Sequence, residues 1–261
     1  MPNADLKYIY GPVPSWRLGS SLGIDLLSRP EKICSFDCTY CQLGRNATKR
    51  TTRDRFVRTG DVIGEIESLP DVGIDYLTFS GRGEPTLASN LGEAIRALRK
   101  VRKEKISVIT NSSLMARKDV RRDLLGADFV IAKLDAATDD VFEAINRPAE
   151  GVCFRDVVEA LADFRKEFPG RFALQVMFMK ANKDAAREIS DLAGEIGPDE
   201  VQLNTPLRPC MEQPLPGEEM KRIKTFFNRQ GLRSVDVYSA GKKAVVPLSG
   251  ADTLRRRGKE I

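Results

Sequence analysis

Short apolar runs separated by longer amphipathic stretches constrain the fold of this chain more than any other feature. The apolar runs have the length of buried strands, and the stretches between them repeat apolar residues at helical spacing. A repeated strand–helix order is typical of a parallel sheet with right-handed crossovers. The predicted strands are 22–27, 76–79, 106–109, 129–131, 172–179 and 200–203, and the predicted helices are 61–69, 91–102, 118–125, 152–168, 185–196 and 216–229.

The number of predicted strands favours an incomplete α/β barrel. Six parallel strands are too few for an eight-stranded barrel, so we expect a partial (β/α)6 barrel of the TIM type with an open side. Residues 1–20 and 232–261 are expected to be short extensions, the second containing a hairpin of residues 235–238 and 244–246. No internal repeat or long linker is present, which predicts one domain over 1–261.

Three cysteines in one short loop carry the strongest chemical signal. Cys34, Cys38 and Cys41 have the spacing C-x3-C-x2-C. An electron-transfer iron–sulfur cluster takes four cysteines, and a structural zinc site closes with four ligands. Three thiolates on one loop can hold three corners of a cubane cluster and leave one iron open to a ligand from outside the protein. A structural zinc site is the alternative interpretation of the loop.

Composition limits the remaining chemistry. The chain has no histidine, which excludes Ser-His-Asp, Cys-His and histidine–metal mechanisms. Its net charge of +5 permits an anionic partner without requiring one. Basic residues cluster at 49–58 and 255–257, either as a solvated face or as a surface for an anion. No signal peptide and no apolar run of membrane-spanning length is evident, so we expect a cytoplasmic, reducing and anaerobic setting.

A glycine-rich segment follows the second predicted strand. It reads Ser80-Gly-Arg-Gly-Glu-Pro-Thr86 and lies at the carboxyl end of the strand, where barrel enzymes build their sites. Glycine lets a backbone approach a ligand closely. A carboxylate or a backbone carbonyl in this segment can bind the ammonium group of an amino acid.

Together the two segments resemble the signature of the radical S-adenosylmethionine (SAM) superfamily. The cysteine spacing, with Tyr40 before the last cysteine, resembles the cluster-binding loop, and residues 81–85 resemble the GGEP motif, with arginine in place of its second glycine. The resemblance implies a [4Fe-4S] cluster on the three cysteines and SAM on the open iron. It places the SAM amino group at Gly81, Arg82, Gly83, Glu84 and Pro85.

The same resemblance implies a mechanism and a redox partner. Ferredoxin or flavodoxin would supply one electron to the cluster, and SAM would be cleaved into methionine and a 5′-deoxyadenosyl radical. That radical would remove a hydrogen atom from a substrate held in the mouth of the barrel. Tyr40 would pack against the adenine of SAM, and as an aromatic residue in a loop it would also cover the cluster from solvent.

Polar side chains on the later strands are expected to reach the same rim. Asn111 and Ser112 either cap a helix or bind the ribose or the carboxylate of SAM. Lys133 and Asp135 share one side of their strand and form a structural ion pair, or the lysine contacts the SAM carboxylate. Candidates for contacts with adenosine or substrate are Gln175, Met177 and Asn204.

Two further cysteines lie far from the cysteine loop. Cys210 either is an inert buried thiol or donates a hydrogen atom to a substrate radical, and Cys153 at a helix start is expected to pack in the core. Two distant cysteines cannot build another cluster, so we predict a single cluster.

Four motifs narrow the resemblance further. Residues 10–25, 83–86, 146–148 and 207–210 resemble an uncharacterised archaeal and anaerobic bacterial group of radical SAM proteins related to the wyosine tRNA synthases. True wyosine synthases carry extra N-terminal cysteines for a second cluster, and this chain has none before Cys34. Three functions are therefore considered: modification of tRNA or another RNA, modification of a peptide or protein such as glycyl-radical activation, and a non-catalytic iron–sulfur protein in electron transfer or sensing.

Overall fold

The computed structural model describes residues 6–46 and 48–257, without the side chains of residues 255 and 257. In this part of the chain, eight strands form one sheet in sequence order. The first two strands are antiparallel, and every later neighbouring pair is parallel. The strands are β1 (Ile9–Ser15), β2 (Gly19–Ile24), β3 (Tyr76–Phe79), β4 (Lys105–Thr110), β5 (Phe129–Lys133), β6 (Arg171–Met177), β7 (Glu200–Asn204) and β8 (Ser234–Asp236).

Helices connect the strands and cover one face of the sheet. The first and last strands lie at opposite edges, so the sheet is curled but not closed into a barrel. Within the described ranges, no helix has both the length and the apolar character needed to cross a membrane. The α-helices are α1 (Thr59–Glu67), α2 (Leu91–Val101), α3 (Lys118–Leu124), α4 (Asp139–Asn146), α5 (Phe154–Glu167), α6 (Ala186–Ile196), α7 (Gly217–Arg229) and α8 (Gly250–Arg257).

Apolar side chains bury both faces of the sheet, as β5 illustrates. Val130 and Ala132 belong to the large core shared with the helices. Phe129 and Ile131 belong to a small inner cluster inside the curl of the sheet. Because side chains alternate across a strand, Lys133 continues the inner row and points into the curl at the carboxyl end of β5.

The predicted strand–helix order is confirmed, and the six predicted strands correspond to β2 through β7. The predicted hairpin in the C-terminal extension is wrong. Val235 lies in β8, which pairs in parallel with β7, and residues 244–246 form no strand. Val246 is 85% exposed, so burial of its side chain does not hold this segment in a strand. Residues 6–20 are more than an extension, because they supply β1 and begin β2.

The basic cluster at 49–58 is not a surface of free cations. The side chain of Arg53 is only 7% exposed, and its guanidinium lies 2.8 Å from Asp119 Oδ2 and 2.5 Å from Asp123 Oδ2. It also donates to two backbone carbonyls, at residues 86 and 88. Two neighbouring arginines are paired with carboxylates as well, Arg55 with Glu93 and Arg58 with Asp61. This cluster therefore stabilises the fold and gives little support to RNA binding.

Arg256 of the second basic cluster is also buried. Its Nε lies 3.4 Å from Asp25 Oδ2, and the two side chains are 3% and 1% exposed. Its Nη2 donates to Ser28 Oγ at 3.0 Å and to the carbonyl of Lys7. The ion pair attaches α8 to the carboxyl end of β2. Arg256 is thus a structural residue rather than part of an anion-binding tail.

Replacing Arg256 by methionine is expected to lower the free energy of unfolding by about 3 kcal/mol. Breaking a buried ion pair costs about 3–5 kcal/mol, and Asp25 keeps two backbone N–H donors, from Leu27 and Arg82, which places the cost at the lower end. Urea denaturation measures the change. Arg155→Met is the control, because Arg155 forms a solvent-exposed i,i+4 pair with Glu159 and its loss should leave the free energy of unfolding almost unchanged. Equal stabilities of the two variants would contradict the assignment.

Candidate functional site

A cavity of about 300 Å³ lies inside the curl of the sheet, towards the carboxyl ends of the strands. Most of the predicted site residues line it: Cys34, Cys38, Tyr40, Cys41, Gly83, Glu84, Asn111, Lys133, Gln175 and Asn204, together with Met177. The other predicted site residues do not line it: Gly81, Arg82, Pro85, Ser112, Asp135 and Cys210. The fold therefore gathers residues from five strand ends and the cysteine loop around one space.

Local hydrogen bonds shape the cysteine loop. The N–H of Cys41 donates to the carbonyl of Cys38 at 3.0 Å, which folds the second half of the motif into a turn. The side-chain amide of Asn46 donates to the carbonyls of Cys34 and Phe36, at 2.9 and 3.1 Å. These bonds explain how a loop without regular secondary structure holds three thiols against the cavity.

Amide donors approach two of the thiols. Asn111 Nδ2 lies 3.5 Å from Cys34 Sγ, and Asn146 Nδ2 lies 3.6 Å from Cys38 Sγ. Burial raises the pKa of the Cys38 thiol to about 11 and also raises that of Cys34. Both thiols are therefore protonated when no metal is bound. A bound metal would lower the pKa of both thiols, because coordination deprotonates a thiol.

The donor set fits an iron–sulfur cluster. The three thiols form no disulfide and face one cavity. Hydrogen bonds to cluster sulfurs and nearby charge are the features by which proteins tune such clusters, and Lys32 supplies a positive charge beside Cys41 and Cys34. In the described part of the chain, no group of three or more cysteine and acidic side chains converges on a point where a single metal ion could be held.

The glycine-rich segment packs directly against the cysteine loop. Gly83 forms an isolated bridge with Ile33, and a Cβ atom on Gly83 would lie 1.6 Å from the carbonyl oxygen of Ile33. Gly81 has φ +143°, and a Cβ there would lie 2.5 Å from Cγ of Asp25. Arg82 has ordinary backbone geometry, and its side chain turns away to the carbonyl of Pro30. Glycine is thus required at 81 and 83 but not between them.

Glu84 connects the ends of β3 and β4. Its Oε1 accepts hydrogen bonds from Thr86 N, Thr86 Oγ1 and Thr110 Oγ1, at 3.1, 2.6 and 2.7 Å. Its Oε2 accepts one, from Asn111 N at 2.6 Å. Burial raises the pKa of Glu84, although these four donors oppose the shift. Oε2 retains capacity for a further donor from the cavity.

Asp135 lies behind the cavity wall and organises three residues. It accepts hydrogen bonds from Tyr40 Oη, from Asn146 Nδ2 at 2.9 Å and from Met177 N at 2.8 Å. Lys133 Nζ lies 3.1 Å from Asp135 Oδ1 and 4.8 Å from the centre of the Tyr40 ring. The predicted ion pair is therefore present, and it orients the lysine and the tyrosine together.

On β5 and β6, two buried donors in the cavity wall have no hydrogen-bond acceptor in the described part of the chain. They are Lys133 Nζ, whose contact with Asp135 lacks hydrogen-bond geometry, and Gln175 Nε2. The two residues are direct neighbours across β5 and β6. Buried polar groups are normally hydrogen-bonded, so this pair of donors points to a bound acceptor in the cavity.

Several other predicted residues have positions that limit their roles. Ser112 is fully buried and donates to the carbonyl of Lys133 at 2.9 Å. Asn111 and Ser112 do not cap α3, which starts six residues after Ser112. Cys210 donates to the carbonyl of Glu212 at 3.4 Å and does not line the cavity. Cys153 precedes α5 as predicted, but it is exposed, so the expectation that it packs in the core is wrong.

Sequence reasoning missed several residues of the site. Asn146 was noted only within the motif 146–148, although its amide reaches both Cys38 and Asp135. The tip of the first hairpin, within the segment expected to be a short extension, lines the cavity. The remaining cavity residues that carry charge or an aromatic ring are Trp16, Arg17, Lys32, Phe36, Arg208 and Lys242. Lys32 could have been predicted as a site residue, because it is a basic residue only two positions before Cys34.

Comparison with known proteins extends these observations. A UPF0026 protein of Methanocaldococcus jannaschii is 38% identical over 229 residues, which cover 84% of this chain and 70% of that protein. A Brachyspira hyodysenteriae protein named GTPase Obg is 37% identical over 246 residues, which cover 91% of this chain but only 36% of that protein's length. The crystal structure of archaeal TYW1 has a TM-score of 0.55 at 15% identity, covering 80% of this chain and 72% of that one.

The likeness to TYW1 concerns the fold alone, so the narrower resemblance to the wyosine tRNA synthases stays a prediction. The family assignment has firmer support. Residues 30–193, from the cysteine loop through most of α6, match the family model described as the radical SAM superfamily. The chain therefore belongs to the radical SAM superfamily and, within it, is related to the UPF0026 proteins.

Proposed function

We propose that this enzyme cleaves SAM reductively and uses the resulting 5′-deoxyadenosyl radical to remove a hydrogen atom from a substrate in the same cavity. One observation carries the proposal: the three thiols, Gly83 and Glu84 of the glycine-rich segment, and the buried donors of Lys133 and Gln175 all face one space. Cys34, Cys38 and Cys41 would hold a [4Fe-4S] cluster. When bound, the cluster supplies the electron that splits the sulfonium of SAM into methionine and the radical.

The residues around the cavity provide a complementary acceptor and donor for the amino acid end of SAM. The ammonium group would be bound at Gly83 and Glu84, the two residues of the glycine-rich segment that line the cavity, through Glu84 Oε2, which has one hydrogen bond in the structure. The carboxylate would accept from Lys133 Nζ, with Asp135 positioning the lysine through their 3.1 Å contact. A charge-assisted pair of this kind is roughly twice as strong as a neutral hydrogen bond.

The nucleoside end of SAM would lie along β6 and β7. Tyr40 would pack its ring against the adenine, held in place by its hydrogen bond to Asp135. Gln175 Nε2 and the side-chain amide of Asn204 would contact the adenosine. Asn111 would position the cysteine loop, because its side-chain amide donates to Ser35 Oγ in that loop at 2.9 Å.

Replacing Lys133 by glutamine is expected to weaken SAM binding at least about tenfold. A hydrogen bond to a charged group contributes about 1.5–3 kcal/mol, and a tenfold change in affinity corresponds to about 1.4 kcal/mol. Equilibrium dialysis with labelled SAM measures the dissociation constant of the reconstituted protein. Lys180→Gln is the control, because Lys180 is exposed and does not line the cavity. Unchanged affinity in the Lys133 variant would assign this lysine a structural role.

The proposed activity is tested by anaerobic reconstitution of the protein with iron and sulfide. About four iron atoms per chain are expected for a [4Fe-4S] cluster, followed by 5′-deoxyadenosine formation when dithionite and SAM are added. Zinc in place of iron, with no cleavage, would establish the structural-zinc alternative. A loaded cluster without SAM cleavage would establish the non-catalytic alternative.

The two candidate substrate classes, RNA and a peptide or protein, predict different experimental results. RNA modification predicts RNA binding that falls steeply with salt, but Arg53 and Arg256 are buried in ion pairs and contribute nothing to it. A peptide or protein modifier, including a glycyl-radical activase, would leave a mass change on one protein in extracts.

Ferredoxin or flavodoxin is the proposed electron donor, in a reducing and anaerobic cytoplasm.

A further inference from the structure

We infer that Asn146 raises the reduction potential of the cluster by donating a hydrogen bond from its side-chain amide to the sulfur of Cys38. The inference rests on the proposed function, because it requires a cluster on the three thiols of the cysteine loop. It gives a role to the motif at 146–148, whose residues are not among the proposed contacts with SAM. Asn146 is a positioning residue, since it acts through Cys38 and does not touch SAM or substrate.

The end of α4 is held against the cysteine loop. The N–H of Asp37 donates to the carbonyl of Asn146 at 3.1 Å, and Phe36 forms an antiparallel bridge with Pro148. The helix ends at Asn146, because the next residue, Arg147, has φ +45° in the left-handed region. These backbone contacts place the side chain of Asn146 beside the loop that carries the thiols.

The side chain of Asn146 lies between a thiol and a carboxylate. Its Nδ2 lies 2.9 Å from Oδ2 of Asp135, 3.3 Å from Oη of Tyr40 and 3.6 Å from Sγ of Cys38. Asp135 also accepts hydrogen bonds from Tyr40 Oη and from Met177 N. Because an accepting carboxylate attracts the NH₂ end of an amide and repels its oxygen, Asp135 fixes the orientation of the Asn146 amide.

The two hydrogens of this amide have different partners. Asp135 engages one of them, through the shortest of the three contacts. The second is directed towards Cys38 Sγ and Tyr40 Oη. A cysteine that binds a metal is a thiolate, and a charged acceptor forms a stronger hydrogen bond than a neutral hydroxyl, so the second hydrogen would bind Cys38 once the cluster is present. Asn146 is 3% exposed, and burial strengthens such a bond electrostatically.

A hydrogen bond to a cluster ligand favours the reduced cluster. Reduction adds negative charge to the cluster and its thiolates, so a donor directed at a thiolate stabilises the reduced form more than the oxidised form. Asn146 would therefore make electron transfer from the donor protein more favourable. Asn111 offers a similar contact to Cys34, at 3.5 Å, but Asn111 also lines the cavity and Asn146 does not. Replacing Asn146 therefore tests the effect without altering the cavity wall.

The experiment is a redox titration of the reconstituted protein without SAM, followed by electron paramagnetic resonance. Asn146→Ala removes the donor and should disfavour the reduced cluster by about threefold to tenfold; tenfold corresponds to a potential lowered by about 59 mV for a one-electron couple. Asn146→Asp keeps the shape of the side chain and replaces its amide by a carboxyl group, which can share a proton with Asp135. Its reduction potential should fall at least as much.

Asn182→Ala is the matched control. Asn182 is also a buried asparagine, and its amide donates to the backbone carbonyls of Asp135 and Met177, at 2.8 and 2.9 Å. None of its hydrogen bonds in the described part of the chain reaches a cysteine. Its replacement should lower the free energy of unfolding, measured by urea denaturation, and leave the reduction potential unchanged. Loss of stability alone therefore does not reproduce the result expected for Asn146.

The inference is overturned if both Asn146 variants keep the reduction potential of the unmodified protein, or if Asn182→Ala lowers it as much as Asn146→Ala does. Folded Asn146 variants that hold no cluster would also overturn it, because Asn146 would then be needed for cluster assembly.

A separate assay of 5′-deoxyadenosine on the unmodified protein distinguishes this inference from the proposed function. SAM cleavage with unchanged potentials in the variants removes the inference and leaves the proposed function intact. Lowered potentials in the variants of a protein that does not cleave SAM support the inference and contradict the proposed function. An unmodified protein that loads no cluster contradicts both.

Discussion

Replacement of Cys38 by alanine is expected to abolish both the iron–sulfur cluster and SAM cleavage. Three thiols are available at the cavity, and losing one leaves two ligands for a cluster that the proposal already leaves open at one iron. Changes to groups that only support metal ligands cost about 10–100-fold in metal affinity or activity. Loss of a ligand should therefore reduce 5′-deoxyadenosine formation to below about 1% of the unmodified enzyme. Cys34→Ala and Cys41→Ala should give the same result.

Three measurements on the same preparation separate the possible causes of such a loss. Iron and sulfide content reports the cluster, 5′-deoxyadenosine reports cleavage, and circular dichroism reports folding. Cys153→Ala is the matched control, since Cys153 is an exposed thiol outside the cavity and its removal should change none of the three. If the cysteine-loop variants kept full iron content and cleavage, the central proposal would be wrong.

The second large effect is expected for Gly83→Ala. The added Cβ would lie 1.6 Å from the carbonyl oxygen of Ile33, which is backbone and cannot rotate away. The bridge between Ile33 and Gly83 would have to open, which separates the cysteine loop from the glycine-rich segment. Overpacking ordinarily costs about 1–3 kcal/mol, and a backbone clash of this depth should reach at least the upper value. SAM cleavage should fall with it.

Gly64→Ala is a control that should raise the stability of the protein rather than lower it. Gly64 lies in α1, and a Cβ there would meet no atom within 4 Å. Alanine is the better helix residue by about 0.5–1 kcal/mol, so this variant should be slightly more stable and fully active. Urea denaturation and the cleavage assay measure both variants. A Gly83→Ala protein with unchanged stability would show that the two segments are not in contact.

The cysteine loop and the glycine-rich segment were recognisable from sequence because their chemistry depends on residues close together in the chain. The spacing C-x3-C-x2-C confines three thiols to one loop. The glycines at 81 and 83 were likewise visible, although only the structure showed that Asp25 and Ile33 are what a side chain would strike. The substitution at Arg82 is explained too, since its backbone is ordinary and its side chain points outward.

The partners of these segments were hidden because they come from distant parts of the chain. Asn146 lies 108 residues from Cys38, and Arg256 lies in the last described helix while its partner Asp25 follows β2. Charge patterning treated Arg53 and Arg256 as one kind of surface residue, whereas burial makes both structural. Spacing within a segment cannot reveal such pairs.

The sequence by itself determined the order of the six central strands, the cysteine loop and the superfamily, because periodicity, spacing and local motifs are properties of contiguous residues. Only the tertiary structure decided which side chains share the cavity. The curl of the sheet placed Lys133 next to Gln175 without an acceptor, put Asp135 behind the wall, and carried the tip of the first hairpin into the site. These outcomes depend on packing between elements far apart in sequence, which no local pattern encodes.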